Sequence, residues 1–317
     1  MQRPVFADIL DAKRVIDRYL HPTPLHHYPG LSAKLGFDVF IKHENHQPVG
    51  AFKVRGGVNL ISRLSAEEKK SGVISASTGN HGQSVAFASR LFGVKAIIGV
   101  PEGANPDKVA AMRTLGAEVQ FHGKDFDEAR LWVEDQARTH GYRYIHSANE
   151  PHLVAGVGTI GLEILQARPD IDVIIVPIGG GSGAAGSSIA AKTINPKIRM
   201  IGVQSEHATV AYDSWKQRKV LSSDVCTTFA EGMATRQAFE LTQAILVELL
   251  DDFLLVSDDD LRAAIRLLFE YTHNVAEGAG AAAMATAVRY KDQFQGKKVA
   301  LDVSGGNITA EMLRQIL

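Results

Sequence analysis

The apolar positions of this chain switch between two periods. Over residues 7–19 they fall at helical spacing (Ile9, Leu10, Val15, Ile16, Tyr19), which predicts an amphipathic helix. His21-Pro22-Thr23-Pro24-Leu25 ends it, because each proline lacks an N–H and restricts the residue before it. A short helix near 29–35, a strand at 39–43 and a helix over 54–64 follow. From Gly72 the rhythm becomes strand, helix, strand. Strands are predicted at 73–77, 95–100, 118–121 and 142–145, with helices at 81–92, 105–115 and 125–139. A helix at 153–167 precedes the apolar run Val173-Ile174-Ile175-Val176-Pro177-Ile178, the mark of a strand buried on both faces. Further strands are predicted at 197–204, 253–256 and 298–303. Helices are predicted after the glycine run at 179–186 and near 206–217, 236–249, 258–273 and 277–289. Such alternation makes this an α/β protein with parallel sheet and right-handed crossovers. Residues 72–147 read as a small α/β domain.

Composition narrows the function classes. The 317 residues carry 34 basic and 35 acidic side chains, a balance that argues against a nucleic-acid binder. No stretch approaches the roughly 18 apolar residues of a membrane span, and residues 1–6 lack a signal-peptide core. A soluble cytoplasmic protein is expected. Cys226 is the single cysteine, so no intrachain disulfide forms; it reads as a small packing residue. The histidines show no zinc-like spacing, and Gln204-Ser205-Glu206-His207 is a poor ligand set, so no metal is expected. Asp258-Asp259-Asp260 suits a helix start, and Trp132 and Trp215 read as packing residues on helices.

Three polar loops follow predicted strands, and one lysine stands out. Gly179-Gly180-Gly181-Ser182-Gly183-Ala184-Ala185-Gly186 joins the strand at 172–178 to a helix. Glycines there let backbone N–H groups approach an anion, and the helix turns its positive end toward it, so a phosphate suits the loop; a bare tight turn is the alternative. The same run contains the dinucleotide spacing Gly181-x-Gly183-x-x-Gly186, with Glu206 after the next strand to hold a ribose. A nicotinamide-dependent oxidoreductase is therefore open on pattern alone. Against it, the loop lies past mid-chain and the other loops are left without a task. Ser77-Thr78-Gly79-Asn80-His81 offers hydroxyls and N–H groups to a carboxylate, or simply caps a helix. Ser304-Gly305-Gly306-Asn307 alone is an ordinary turn composition. Lys53 sits among small and apolar neighbours in Pro48-Val49-Gly50-Ala51-Phe52-Lys53-Val54-Arg55-Gly56-Gly57. If buried, its amine loses proton affinity and can attack a carbonyl; a surface lysine is the plain alternative.

Taken together and in order, Glu44-Asn45-x-Gln47-Pro48-x-Gly50-x-Phe52-Lys53-x-Arg55-Gly56, Ser77-Thr78-Gly79-Asn80-His81-Gly82, Gly179-Gly180-Gly181-Ser182-Gly183 and Ser304-Gly305-Gly306-Asn307 resemble one family. It is the fold-type II pyridoxal-phosphate (PLP) enzymes, specifically the serine/threonine dehydratases and serine racemases. The resemblance covers nearly the whole chain. It implies two open, twisted, mainly parallel sheets flanked by helices, similar to tryptophan synthase β. Residues 1–71 and 148–317 would form a large PLP-binding domain and 72–147 the small one, in a homodimer. It implies that Lys53 holds PLP as a Schiff base and moves the α-proton. Phe52 packs beside the ring, Asn80 meets its 3-hydroxyl, and Ser304 faces its nitrogen. Gly179, Gly180, Gly181, Ser182 and Gly183 cradle the phosphate, and Ser77, Thr78, Gly79, Asn80 and His81 grip the substrate carboxylate.

The activity so implied is dehydration and deamination of a β-hydroxy amino acid, L-threonine or L-serine first, to a 2-oxo acid and ammonia. Four departures modify this. Ala51 replaces a customary serine. Thr78 stands where dehydratases carry alanine and racemases a catalytic serine, which leaves racemisation open as a second activity. Ser182 replaces a fourth glycine. Gln204 and Val210 occupy the positions of the family's acidic metal ligands, so that site is not expected. The Ser-Thr-Gly-Asn-His loop and Phe229-Ala230-Glu231-Gly232-Met233-Ala234-Thr235-Arg236 are similar to the hydroxyectoine-utilisation branch, which implies a different hydroxy amino acid. No regulatory domain is expected after Leu317, which points to a catabolic enzyme.

Overall fold

The computed structural model describes residues 2–317. Ten strands form two sheets. They are β1 (Leu25–His27), β2 (Asp38–His43), β3 (Val73–Ala76), β4 (Ala96–Val100), β5 (Glu118–Phe121), β6 (Arg143–Tyr144), β7 (Val173–Pro177), β8 (Arg199–Ser205), β9 (Asp252–Val256) and β10 (Lys298–Val303). The larger sheet runs β1-β2-β10-β7-β8-β9 and the smaller β5-β4-β3-β6. Every pairing is parallel except β1 on β2.

The apolar runs explain the layers. Along β7, Val173 and Ile175 point into one core while Ile174 and Val176 point into the other, the period of two expected of a strand covered on both faces. β2 and β10 divide likewise: Val39, Ile41, Val299 and Leu301 face one core, Phe40 and Ala300 the other. One of these cores also holds Val58, Val85, Ile98 and Ile160, so it runs continuously between the two sheets.

Close helix packing requires glycine at particular places. A side chain at Gly57, on the helix Lys53–Ser62, would come within 2.3 Å of Ser84 Oγ on the helix Asn80–Leu91. One at Gly186 would meet Gly158 Cα at 2.8 Å, where the helices Pro151–Ala167 and Ser182–Ile194 cross. The third glycine of the dinucleotide spacing thus serves helix–helix contact.

The structure departs from the expected elements in a few places. The first helix ends at Ile16 rather than 19. β1 lies where only a proline-rich stop was expected; it exists by pairing Leu25–His27 with Phe40–Lys42. A helix at Ala66–Ser71 was not anticipated, although Ser65 and Glu68 form a capping box that marks its start. Nor was the helix Ala310–Ile316, capped by Thr309. Two expected helices begin late: Glu206 and His207 form a turn before Val210, and Arg236–Ala238 pair with Leu221–Ser223 before Glu240. No helix is long and apolar enough to cross a membrane among the described residues.

Candidate active site

The lysine and the three loops converge at the carboxyl ends of parallel strands, where open α/β sheets place their ligands. Lys53 follows β2, Ser77 follows β3, Gly179 follows β7 and Ser304 follows β10. All four line one cavity of about 380 Å³ between the two sheets, within the range of ligand sites. The stitching is local. Phe52 N–H donates to Ser304 O at 3.0 Å and Gly306 N–H to Gly50 O at 2.9 Å, so the last strand's loop holds the lysine loop in place.

Lys53 begins the helix Lys53–Ser62, and its stem faces the cavity. Its Nζ donates to Ser182 Oγ at 3.0 Å and to Ser147 O at 3.4 Å, and lies 5.1 Å from the centre of the Phe52 ring. No carboxylate pairs with it, and burial lowers its pKa from 10.5 to about 8. An amine in that range is partly free of its proton near neutrality and can act as nucleophile or base.

The glycine loop places a helix N-terminus at the cavity. Gly181, in the left-handed conformation at φ +83°, caps the helix Ser182–Ile194, whose N-terminus opens onto the cavity. A side chain on Gly179 would lie 2.1 Å from Gly232 O, and one on Gly183 would lie 3.0 Å from the Phe52 ring. Thr242 Oγ1 donates to Gly180 O at 2.8 Å and fixes the loop.

The second loop is braced from within. Ser77 Oγ accepts from Gly79 N–H at 3.2 Å and Gly82 N–H at 2.9 Å. Thr78 and Gly79 line the cavity. Asn80 donates through Nδ2 to Glu277 Oε1 at 2.7 Å and accepts at Oδ1 from Asn307 Nδ2 at 2.7 Å. His81 Nε2 faces Ile145 O at 3.4 Å, and its buried Nδ1 has no partner. Burial, then the nearby Lys53, push this imidazole down to about 3, so it is neutral.

The structure therefore brings Phe52, Lys53, the Ser77–His81 loop, Gly179–Gly183 and Ser304 to one cavity. It also adds residues that sequence reasoning passed over, Lys108, Arg130, Glu277 and Phe239, while Glu231 and Arg236 come from the 229–236 stretch already singled out for substrate choice. Cys226 is half-buried, as a small packing residue can be, and forms part of the cavity wall. Glu206, the ribose ligand of the dinucleotide reading, pairs instead with Arg289 at 2.7 Å and is not part of the cavity wall. Gln204, in the family's metal region, accepts Tyr212 N–H at 3.1 Å.

A family model described as pyridoxal-phosphate dependent enzyme matches residues 16–305. The chain belongs to this family. An L-threonine ammonia-lyase from Thermotoga maritima is 40% identical over 98% of this chain and 77% of its own length. Among solved structures, the processed form of threonine deaminase isoform 2 from Solanum lycopersicum has a TM-score of 0.93 at 34% identity, covering 98% of this chain and 90% of that one. Maize serine racemase has a TM-score of 0.95 at 31% identity, covering 99% and 97%. PLP is thus the cofactor of this PLP enzyme, and the cavity suits it on three counts. A buried amine of lowered pKa stands 3.0 Å from the start of a helix. A glycine cradle leaves room that side chains would fill. A buried imidazole nitrogen and the Thr235 hydroxyl lack partners on the cavity wall.

Proposed function

We propose that this PLP enzyme is an ammonia-lyase that dehydrates a small β-hydroxy amino acid, L-threonine or L-serine first, to a 2-oxo acid and ammonia. The observation that carries the reading is the juxtaposition of the Lys53 amine with the Gly179–Gly183 cradle in one cavity. The threonine ammonia-lyase and threonine deaminase named above support the substrate class.

Lys53 would hold the cofactor through Nζ. The N–H groups of Gly179–Gly183 and the positive end of the helix Ser182–Ile194 would hold its phosphate. Phe52 would pack beside its ring, Asn80 would donate to the ring's 3-hydroxyl, and Ser304 would face the ring nitrogen. The bound cofactor supplies an electron sink for charge developing at the substrate's α-carbon. The residues do the rest. The loop of Ser77, Thr78, Gly79, Asn80 and His81 would bind the substrate carboxylate through backbone N–H groups and the Thr78 hydroxyl, which would fix the α-carbon before Lys53. Lys53 Nζ, with its affinity lowered to about 8, takes the α-proton. Neutral His81 adds no second cation to compete for that carboxylate.

Release of 2-oxo acid and ammonia from L-threonine and L-serine tests the reading. Turnover that falls by about 10²–10⁴-fold or more in Lys53→Ala supports it; an unimpaired K53A protein overturns it. A second reading, racemisation, rests on the Thr78 hydroxyl in the cavity wall and on the serine racemase likeness. D-product in a chiral assay, without ammonia, would favour it. The larger hydroxy amino acid of the hydroxyectoine branch is the next substrate to try.

The division of the chain is part of the proposal. All four strands of the smaller sheet fall within 72–147 and none of the larger sheet's do, which supports a small lobe set against one built from 1–71 and 148–317. A homodimer is proposed with it; sedimentation of the holoenzyme as a monomer would discard that part.

A further inference from the structure

Glu277 has no task in the chemistry above, yet it stands half-buried in the cavity wall. It stands at the start of the helix Gly278–Arg289, and its backbone N–H donates to Gly305 O at 3.1 Å. The carboxyl slots past two glycines. A side chain on Gly305 would come within 2.6 Å of Glu277 Oε1, and one on Gly232 within 3.7 Å. That opening lets Oε1 reach Asn80 Nδ2 at 2.7 Å, across from the larger sheet to the smaller one.

The other end of the Asn80 amide is held as firmly. Asn80 Oδ1 accepts from Asn307 Nδ2 at 2.7 Å, and the same Nδ2 donates to Val49 O at 2.8 Å. Two acceptors therefore define which end of Asn307 faces Asn80. Turning Asn80 over would set donor against donor at Asn307 and leave two buried groups unpaired. An amide has two N–H hydrogens. Glu277 takes one, and one remains on the side of the cavity that Asn80 lines.

We propose that Glu277 is a positioning residue of the cofactor site: its carboxyl fixes the Asn80 amide with one N–H turned into the cavity. This rests on the reading that Asn80 donates to the cofactor ring. Burial holds the pKa of the Glu277 carboxyl above the usual carboxylate value, against the smaller opposing pull of the Asn80 amide, Lys108 and the Asn307 backbone N–H. Acceptance by Oε1 does not depend on the outcome, since a carboxyl oxygen accepts in either protonation state.

The test is a double-mutant cycle on PLP affinity of the apoprotein, with the visible absorption band of bound PLP followed against pH. Asn80→Ala is expected to weaken PLP about five- to tenfold, one hydrogen bond's worth, and to shift the band's titration. Glu277→Ala is expected to do nearly the same, and the N80A/E277A double variant no more than N80A alone, because one residue acts through the other. Glu277→Gln keeps an acceptor and stays within about twofold of the parent. Wild-type affinity and titration in E277A, losses that add in the double variant, or equal losses in E277Q and E277A each overturn the inference. If E277A does not fold, Glu277→Met, of similar volume and without an acceptor, takes its place. Failure of the functional reading looks different: N80A then leaves PLP binding and the band unchanged.

Discussion

Two sets of charges stand on either side of Lys53, and they differ in kind. Behind it, Arg55 is fully buried on the same helix. It donates to Glu44 at 2.7 and 2.8 Å and to Glu163 at 2.8 and 2.7 Å, while Lys42 donates to Glu163 at 2.6 Å. In front, at the mouth of the cavity, Lys108 pairs with Glu231, and Arg236 approaches Asp127 at 3.5 Å and Asp125 at 3.8 Å. Both sets join distant parts of the chain. The rear set is dry and bidentate, Arg55 and Lys42 against Glu44 and Glu163, with Lys13 approaching Glu163 from its edge at 3.8 Å; Asp302 beside it is held well above the usual carboxylate range by burial and by Glu44. The front set is wet: the Glu231 and Arg236 side chains are 58% and 50% exposed. In low dielectric a broken pair leaves a bare charge, whereas at the surface water takes the partner's place. The rear set therefore holds the Lys53 helix rigid, and the front set joins the two sides of the mouth by contacts that cost little to break.

The sharpest way to break this comparison is Arg55→Met. It strips Glu44 of its guanidinium and leaves Glu163 to Lys42, and it is expected to cost about 3–5 kcal/mol in urea unfolding, or to yield no soluble protein. A cost below about 1 kcal/mol would erase the distinction between the two sets.

Acid offers the next test. Burial alone would raise the Glu163 pKa, but Arg55 and Lys42 lower it from 4.5 to about 2. A depressed carboxylate contributes stability that is complete above its unfolded pKa and is lost as pH falls through the folded one. About 3 kcal/mol should disappear between roughly pH 4.5 and 2, and Glu163→Gln should flatten that limb of the stability–pH curve.

Lys53 lies between the two sets and pairs with neither, so its burial is a net cost. The unfolded chain binds its proton more tightly up to pH 10.5. The cost is therefore complete below about pH 8 and fades as pH rises toward 10.5. Lys53→Met is expected to stabilise the apoprotein at neutral pH by about 1–3 kcal/mol while abolishing turnover. A lower melting temperature in that variant would show that Lys53 has a partner in solution.

The smallest effect belongs to the rim. Glu231→Gln should change stability by no more than about 1 kcal/mol, and less in 0.5 M salt. Its consequence should appear in KM rather than in folding. A loss as large as that of Arg55→Met would mean that the mouth is closed and dry.

The strands were legible because a strand covered on both faces is predominantly apolar, as in Val173–Pro177 and in Val299–Leu301 of the last strand. β1 was not, since Leu25–His27 is a three-residue edge whose extended form depends on Phe40–Lys42 beside it. The site was legible wherever its chemistry needs glycine or a lysine among small residues: Lys53, the Ser77–His81 loop, Gly179–Gly183 and Ser304. Glu163, Glu277 and Asn307 escaped notice as partners because their contacts span 108, 197 and 227 residues, and nothing local marks an acid or amide for such a task.

By itself the sequence determined the alternation of elements, the glycine-rich loops that line the cavity, and the family, because backbone conformation and apolar period are local properties written into residue type. Only the tertiary structure decided which charges are dry and which are wet. It also decided that Lys53 loses its proton near pH 8 and which way the Asn80 amide faces. Those depend on dielectric and on hydrogen-bond geometry, and both are set by what the rest of the chain packs around a residue.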